Sequence, residues 1–507
     1  MSFIRALAEK GRTIRAHRPW PRVVVDREAW HDAVGGLSFG KATLLGLWAD
    51  GEAVHMALAE PAVADILVLS LACPERHFPS VAVAHPPALR LERALRDLHG
   101  LAPEDAPDRR PWLDHGRWGV RHPLGEASKV PADGVDYAFH PAQGAPLHQI
   151  PVGPVHAGII EPGHFRFHAN GETVVRLEER LGYAHKGIDG LMRGATLDQA
   201  GHLAGRFSGD STVAYALAFA QAVESALGID VPPRAVYLRA LMAELERLAN
   251  HFGDLGAIAN DASFSLLHAH FGALREHVLR AADACFGHRL MMDCIVPGGI
   301  AVDLADRGAD RVRALIATVK STFPELVALY DDTASLQDRT VTAGILEPGL
   351  ARQYGAGGFV GRASGRVFDA RRWPGYAPYA ELTFDVPLRQ EGDVDARVWI
   401  RIEEVGQSLA IIGQLLDALP DGAVRFDMTG IRRARGNREG LALVEGFRGD
   451  IMAWVRLGPG TTVAAAHLRD PSWFQWPLLE AAIAGNIVAD FPLCNKSFNC
   501  SYSGVDM

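Results

Sequence analysis

The sequence predicts an α+β protein in which a small mixed domain precedes a larger, predominantly helical one. Three observations indicate this architecture. Short apolar runs near the start alternate with turn signals and lead into an amphipathic helix. A proline-dense stretch follows, where long helices and central strands are excluded. Beyond it, apolar residues recur at helical spacing through most of the chain.

The first domain is predicted to pair strands before its helix. The apolar runs that predict strands are 42–48, 53–58, 66–71 and 81–84. Asp50-Gly51 lies between the first two runs and is a strong β-hairpin signal. Leu91, Ala94, Leu95 and Leu98 then recur at i, i+3, i+4 and i+7, and Gly100 follows, so an amphipathic helix is predicted to end there.

Prolines punctuate the chain from Leu101 to Gln149. This density predicts an extended linker that wraps over a surface, with Trp112 and Trp118 as anchors. The predicted domain division is residues 1–120, a linker over 121–150, and a second domain over 151–507.

The second domain is predicted to begin with a peripheral β-hairpin around Asn170-Gly171, the favoured type I′ turn pair. Long helices follow, predicted over 234–256, 306–336 and 403–419. In the first of these, Glu244, Arg247 and His251 share one helix face. In the centre of a helical bundle this polar trio would need partners from other elements.

Composition excludes several classes of function. The formal net charge is −9 with 22% charged residues, so no basic face indicates nucleic-acid binding. No apolar run reaches the length of a membrane span, although attachment through a partner stays open. The five cysteines are an odd and sparse set, which is typical of a reducing compartment, and they include no C-x-x-C pair. The glycines of 344–365 match no nucleotide-binding motif.

Four stretches concentrate polar groups in apolar surroundings. The first contains His156, Glu161 and His164, on a Gly/Pro-rich turn ahead of the hairpin. Imidazole and buried carboxyl groups suit proton handling because their pKa values can be tuned toward neutral pH. Turn histidines are as often structural, so both interpretations stay open.

Three further stretches concentrate polar groups. In Arg206–Ser211, the side chains of Ser208 and Ser211 are predicted to cap the following helix, with Ser211 or Asp210 accepting from its first amides. Arg448, between two small-residue turns, suits the anchoring of an anion or carboxylate. Asp490–Ser497 is predicted to be a turn in which Cys494 is either reactive or simply buried.

Longer motifs together carry a family resemblance. In the second domain they are Gly153-Pro154-Val155-His156-Ala157-Gly158, Glu161-Pro162-Gly163-His164-Phe165-Arg166-Phe167, Arg176-Leu177-Glu178-Glu179-Arg180-Leu181-Gly182-Tyr183, His185-Lys186-Gly187, Glu246-Arg247 with Asn250-His251, Pro297-Gly298-Gly299 and Arg448-Gly449-Asp450. In the first domain they are Phe78-Pro79-Ser80, the 92–98 helix and Arg110-Pro111-Trp112-Leu113-Asp114-His115-Gly116. The second domain resembles the large subunit of membrane-bound, energy-converting nickel–iron hydrogenases of the formate-hydrogenlyase and hydrogenase-4 type. It is also similar to the quinone-side large subunit of respiratory complex I, and the first domain resembles the small complex I subunit often fused ahead of it.

The departures from this family pattern concern its metal site. The resemblance implies a nickel–iron centre held by two C-x-x-C pairs, which fall here on Ser208 and Ser211 and on Cys494 and Ser497. At most one thiolate remains, so no nickel–iron centre is expected to assemble. The complex I relative carries a quinone-contacting tyrosine that corresponds to Gly209, whereas His156 matches the histidine of its quinone site.

The resemblance implies a peripheral redox-arm subunit on the cytoplasmic side of a bacterial-type inner membrane. Its implied partners are a small iron–sulfur subunit, antiporter-like membrane subunits, and a quinone or other small redox molecule. The implied catalytic residues are His156, Glu161, His164 and Arg448. The implied cofactor-binding residues are Arg206, Ser208, Gly209, Ser211, Asp490, Cys494 and Ser497. Two alternatives stay open: a non-catalytic structural or coupling subunit, and an active hydrogenase with altered ligands.

Overall fold

The computed structural model describes residues 2–144, 146–156, 160–429, 431 and 438–507. The strands are β1 (Arg12–Thr13), β2 (His17–Arg18), β3 (Arg22–Val25), β4 (Thr43–Asp50), β5 (Ala53–Glu60), β6 (Asp65–Ala72), β7 (His77–Pro79), β8 (Ala102–Glu104), β9 (Val120–Arg121), β10 (Ser128–Lys129), β11 (Leu147–Val152), β12 (His164–Asn170), β13 (Thr173–Arg180), β14 (Ile295–Val296), β15 (Gly299–Ile300), β16 (Arg438–Gly446), β17 (Gly449–Leu457) and β18 (Val463–Arg469).

The α-helices of the same residues follow in chain order. They are α1 (Phe3–Ala8), α2 (Arg27–Ser38), α3 (Leu89–His99), α4 (Ile188–Met192), α5 (Leu197–Ala204), α6 (Thr212–Leu227), α7 (Pro233–Asp261), α8 (Ser265–Phe286), α9 (Gly308–Asp332), α10 (Ala334–Thr340), α11 (Pro348–Gln353), α12 (Gly358–Ala363), α13 (Val394–Asp417), α14 (Ser472–Ala482), α15 (Phe491–Phe498) and α16 (Ser503–Asp506). None of these helices combines the length and apolar character that crossing a membrane requires.

A five-stranded sheet of order β1-β3-β6-β5-β4 forms the centre of the N-terminal domain. β4 and β5 pair antiparallel around Asp50-Gly51, which confirms the predicted hairpin. The strand predicted over 81–84 is wrong, and β7 precedes that position. The carboxylate of Glu92 accepts hydrogen bonds from the backbone N–H groups of Val81 and Ala82, which bends these residues into a turn.

Helix α3 ends as predicted, because Gly100 adopts the left-handed conformation at φ 69°. The chain beyond it is largely irregular and is tied back to the helix. The Asp97 carboxylate accepts from the backbone N–H groups of Trp112 at 2.7 Å and Leu113 at 2.9 Å. Trp112 is buried and Trp118 stacks on a histidine ring, so both tryptophans contact the folded body.

The two predicted domains pack sheet against sheet. A second sheet, of order β18-β17-β16-β2, faces the N-terminal sheet. Leu45 and Trp48 pack there against Met452 and Trp454, with the two indole rings 5.7 Å apart. Because β2 pairs parallel with β16, the N-terminal end of the chain contributes a strand to the sheet of the second domain.

The helical part of the second domain is built around α6, α7, α8, α9 and α13, which include the predicted long helices. The hairpin of β12 and β13 is present around Asn170-Gly171, and β11 adds a third strand to it. The predicted class, a mixed N-terminal domain followed by a mainly helical one, is confirmed.

The polar trio on α7 finds partners from other elements, as its position in the bundle requires. The Glu244 carboxylate accepts from Arg371 at 2.9 Å and from the hydroxyl of Ser408 at 2.6 Å. His251 lies 2.8 Å from a carboxylate oxygen of Glu404. These side chains are fully buried, so the bundle centre contains an ion network rather than a purely apolar core.

Candidate functional site

An ion pair between Arg448 and Asp210 forms the centre of the candidate site. Nη1 of Arg448 donates to Oδ1 of Asp210 at 2.7 Å, and Nη2 donates to Oδ2. The Arg448 side chain is 5% exposed, whereas that of Asp210 is 38% exposed. Burial alone would raise the pKa of Asp210, but the Arg448 charge and nearby hydroxyl donors lower it below its usual value. The pair is therefore ionised and reachable from one side.

Arg448 is positioned by the tight turn between β16 and β17. Gly449 follows it at φ 133°, and a Cβ atom there would lie 2.8 Å from the carbonyl carbon of Gly357. Only glycine permits this close approach of two backbone segments. The remaining donors of Arg448 are also used, because Nε donates to the carbonyl oxygen of Asn499 and Nη1 lies 3.3 Å from Ser211 Oγ.

The hydroxyl groups of Ser208 and Ser211 point to Asp210 and do not cap the helix after them. They donate to Asp210 Oδ1 at 3.0 and 3.3 Å. Ser208 Oγ also lies 2.8 Å from Ser501 Oγ. The predicted cap by Ser211 or Asp210 is thus wrong, because these side chains bond to each other and a different side chain meets the helix amides.

That side chain is Glu246 of α7. Its carboxylate accepts from the backbone N–H groups of Val213 at 2.7 Å and Ala214 at 3.0 Å, the first turn of α6. Burial raises the pKa of Glu246 to about 8, although both backbone donors oppose that shift. Sequence reasoning missed this role, since the cap lies on another helix. The signal that could have found it is the Glu246-Arg247 pair of the family motif.

The C-terminal contribution to the site is the loop Asn499–Ser503. Asn499 accepts from Arg448, Ser501 meets Ser208, and the backbone N–H of Ser503 donates to Glu161 Oε2 at 2.9 Å. The C-terminal loop therefore meets the segments that contain Arg448 and Ser208, and it also meets the predicted residue Glu161.

The segment predicted to fill this position forms a helix instead. Residues 491–498 are α15, with Pro492 in its first turn, so the predicted turn is corrected. Ser497 accepts from Arg397 Nε at 2.9 Å and donates to the carbonyl oxygen of Cys494 at 2.6 Å. Asp490 lies 3.6 Å from Arg339. Within the described residues, the hydrogen bonds and ion pairs of these side chains do not reach Asp210.

Cys494 is fully buried beside Gly344. Burial raises the pKa of its thiol to about 12. A fully buried thiol that stays protonated at neutral pH is a poor nucleophile, so the buried interpretation of Cys494 is the better one.

His164 is held by two hydrogen bonds on the hairpin. Its Nδ1 donates to the carbonyl oxygen of Gly153 at 3.1 Å, and its Nε2 accepts from Arg166 at 3.3 Å. Burial lowers the pKa of His164, which favours this neutral ring. His156 is half-buried, with its Cδ2 3.6 Å from where a Cβ of Gly153 would lie. Ala157 and Gly158 of the same motif lie outside the described residues.

Lys186 is a site residue that the sequence indicated only as part of a motif. Its ammonium group donates to the carbonyl oxygens of Arg206 at 2.6 Å and Phe207 at 2.8 Å, which fixes the backbone entering Ser208. The Arg206 side chain turns away and donates to Asp293 at 2.7 Å. Arg206 thus shapes this segment from outside and does not contact Asp210.

A small cavity of about 120 Å³ opens beside Gly209 and Asp210. Glu246 and Asn250 line it from α7, and Asn250 donates to the carbonyl oxygen of Asp210 at 2.8 Å. Gly209 is exposed, and a Cβ atom at this position would touch nothing within 4 Å. A side chain at residue 209 would therefore point into open space.

The donor atoms around Asp210 do not suit a nickel–iron centre. Such a centre requires four soft thiolates, whereas Ser208, Ser211 and Ser501 supply neutral hydroxyls. The one thiol of the C-terminal loop is Cys500, which leaves three of the four thiolates without a counterpart there. Among the described residues, no three His, Cys, Asp or Glu side chains are grouped to hold a metal ion.

Comparison with known proteins places the chain in a family. Residues 262–440 match the model of the respiratory-chain NADH dehydrogenase 49 Kd subunit, and residues 23–133 match that of its 30 Kd subunit. Formate hydrogenlyase subunit 5 of Escherichia coli (strain K12) is 31% identical over 445 residues, which cover 85% of this chain and 77% of the relative. The chain belongs to the complex I and hydrogenase large-subunit family.

Other members of the complex I and hydrogenase large-subunit family agree with this assignment. An NADH-quinone oxidoreductase subunit of Roseiflexus sp. (strain RS-1) is 32% identical over 366 residues, 71% of this chain and 98% of that protein. The solved structure of the membrane-bound sulfane sulfur reductase, an archaeal respiratory membrane complex, contains a chain that is 26% identical with a TM-score of 0.67. That match covers 71% of this chain and 98% of the solved one. The resemblance inferred from sequence is confirmed.

Proposed function

We propose that this chain is the large redox-arm subunit of a complex I-like, ion-translocating membrane complex. Electrons from an iron–sulfur cluster in a small partner subunit reach a quinone or another small acceptor beside Asp210, without a nickel–iron centre. The family assignment supports the type of complex. The serine hydroxyls in place of thiolates support the absence of the metal.

The Arg448–Asp210 pair carries the proposal. It places a buried guanidinium behind a partly exposed carboxylate at the junction of two chain segments. The guanidinium charge offsets that of the Asp210 carboxylate, so a reduced, negatively charged acceptor beside Asp210 meets no net negative charge from the pair. We assign proton handling to Glu161, which is hydrogen-bonded to the C-terminal loop, and to His156. His164, whose two ring nitrogens are occupied, orients the hairpin.

The proposed partners are those that the family resemblance implies, and membership of the relatives in multisubunit complexes supports them. Subunits of formate hydrogenlyase and of NADH-quinone oxidoreductase are named among the relatives. We therefore assign this chain a small iron–sulfur subunit and antiporter-like membrane subunits as neighbours, on the cytoplasmic side of the membrane.

The test is reoxidation of the partner's cluster in the purified complex. The cluster is reduced chemically, a short-chain quinone is added, and the cluster signal is followed by electron paramagnetic resonance. We expect fast reoxidation in the wild type, a large loss in Arg448→Lys, and no change in Arg313→Lys, an exposed arginine paired with Asp417. Reoxidation by neither quinones nor other small acceptors overturns the proposal. Stoichiometric nickel in the same sample overturns its metal-free part.

A second candidate function, a structural or coupling subunit, is favoured by the filled state of the site. Arg448 donates to Asp210, Ser211 and Asn499, and the cavity beside Asp210 holds only about 120 Å³. Pockets for small molecules usually hold about 300–1,000 Å³. For this function, Asp210→Asn would weaken assembly of the complex and leave cluster reoxidation per assembled complex unchanged.

A further inference from the structure

Two carboxyl groups share one arginine at the boundary between the domains. Arg90 of α3 donates through Nη1 to Oε2 of Glu179 at 3.1 Å, and its Nη2 lies 2.8 Å from Oε1 of Glu480. The same Glu480 oxygen accepts from the backbone N–H of Glu179 at 2.8 Å. Glu179 lies on β13 and Glu480 on α14. An arginine of the first domain therefore bridges two carboxyl groups of the second domain.

The charges of this triad do not balance when both acids are ionised. The side chain of Glu179 is 0% exposed, that of Arg90 is 9% exposed and that of Glu480 is 23% exposed. Oε1 of Glu179 is buried without any hydrogen-bond partner among the described residues. A buried carboxylate oxygen that accepts no hydrogen bond costs free energy. One proton on the pair of acids removes the excess negative charge and most of this cost.

Of the described cations around the triad, Arg90 is the one that lowers the pKa of Glu179, although Arg93, Arg109 and Arg110 line the same cavity. Arg176 and Glu178 act on Glu480 from β13 with opposite signs. Burial raises the pKa of Glu179 well above its usual value, and the charge of Glu480 raises it further. Burial also raises the pKa of Glu480, against the lowering effect of Arg90.

We propose that Glu179 and Glu480 hold one shared proton at neutral pH and form the proton store of the Asp210–Arg448 site. Solvent reaches the store through a cavity of about 560 Å³ between the domains, which Arg90, Glu179 and Glu480 line together. Glu480 is the more exposed acid, so it takes up the proton from water and shares it with Glu179.

The inner side of the store faces the C-terminal loop. Phe165 is the direct partner of Glu179 across β12 and β13, so the two side chains lie on one face of the hairpin. The Phe165 ring contacts the ring of Tyr502, with centroids 6.4 Å apart. Tyr502 belongs to the loop that meets Ser208. The Phe165 ring carries no proton, and the titratable group at this contact is the Tyr502 hydroxyl, whose pKa burial and the Glu179 charge both raise. The destination of the proton rests on the proposed function, whereas the existence of the store does not.

Infrared spectroscopy of the purified full-length chain tests the store directly. A protonated carboxylic acid has a carbonyl stretch that shifts in D2O, and the difference between wild type and variant isolates the pair from other acids. We expect one such band in the difference spectrum of wild type minus Glu179→Gln at neutral pH, and an equal band in that of wild type minus Glu480→Gln. In the second variant Glu179 keeps Arg90 to itself and ionises. The control is Glu172→Gln, an exposed acid on the same hairpin, which leaves the band unchanged.

A band that persists in Glu480→Gln overturns the shared proton, because burial of Glu179 alone would then account for it. No difference between the wild type and Glu179→Gln overturns the store altogether. In the assembled complex, Glu179→Gln should slow cluster reoxidation several-fold and flatten its pH dependence. If the pH profile of cluster reoxidation in the assembled complex is unchanged, the proposal that the proton goes to the Asp210–Arg448 site is overturned. A wild-type complex that reoxidises with no acceptor overturns the proposed function and leaves the infrared result standing.

Discussion

Arg448 and Asp210 lie 238 positions apart in the chain, yet the guanidinium of one donates to both carboxylate oxygens of the other. The bond joins the turn between β16 and β17 to the segment that leads into α6. The same guanidinium also holds the carbonyl of Asn499. One side chain thus connects the three segments that form the site.

Replacing Arg448 with Met should therefore weaken the fold as well as the site. The loss of hydrogen bonds to a charged group costs about 1.5–3 kcal/mol. We expect about 2 kcal/mol, since the Asp210 side chain is 38% exposed and water can replace part of the lost interaction. Urea unfolding of the purified chain measures this loss in the free energy of unfolding. A change under about 0.5 kcal/mol would show that the pair contributes nothing net to stability.

Glu246→Gln should change how stability depends on pH. The pKa of Glu246 is raised from 4.5 to about 8 in the folded chain, so its contribution to stability is fully present below about pH 4.5 and is lost as the pH rises through about 8. Glutamine carries no titrating proton. Denaturant unfolding between these pH values should show a stability difference between wild type and variant that varies with pH. A constant difference would mean that Glu246 is ionised throughout.

Gly209→Tyr should fold like the wild type, because no atom lies within 4 Å of the new Cβ and the residue is exposed. Surface substitutions of this kind usually change the free energy of unfolding by less than about 0.5 kcal/mol. If the acceptor is a quinone, the added hydroxyl donates to its headgroup and lowers the KM of cluster reoxidation. Gly209→Phe is the control, since it adds the ring without the donor. Equal KM values for the two variants would count against a quinone beside residue 209.

Glu404→Gln should strongly destabilise the helical bundle. Glu404 accepts from Arg362 at 2.9 Å and lies 2.8 Å from His251, with its side chain 1% exposed. Breaking one member of a buried ion network costs about 3–5 kcal/mol. The neighbouring Glu403 is 38% exposed and pairs with Arg389, so Glu403→Gln is a matched control with an expected change below about 1 kcal/mol. Similar midpoints of thermal unfolding for both variants would contradict the prediction.

Local sequence signals predict much of this fold. The hairpin at Asp50-Gly51 and the helix end at Gly100 depend on backbone conformations that neighbouring residues determine, and both are found. The cap of α6 is different, because Glu246 lies 33 positions from the amide of Val213 that it meets. Only the tertiary arrangement decides that Glu246, rather than the adjacent Ser211, supplies the acceptor.

The site is also predictable only in part, because short motifs identify single residues and the tertiary arrangement decides where they meet. Arg448 and Glu161 are recognisable from short motifs, and the structure brings both to one place. The prediction misplaces the C-terminal contribution because it takes residues 490–497 as a turn, whereas Pro492 stands in the first turn of a helix, where proline is well tolerated. The helix it begins moves the contact with Ser208 onward to Ser501.

The strand β2 has a consequence for synthesis of the chain. It pairs with β16, and Arg22 beyond it donates to Glu439 at 2.9 Å across 417 positions. Ribosomes add about 5–20 residues per second, so the N-terminal strand waits roughly 20–80 s for its partner to be made. During that interval His17 and Arg18 have no strand to pair with, because β2 belongs to the sheet of the second domain. Cutting the gene at the linker would make this pairing depend on the association of two separate polypeptides.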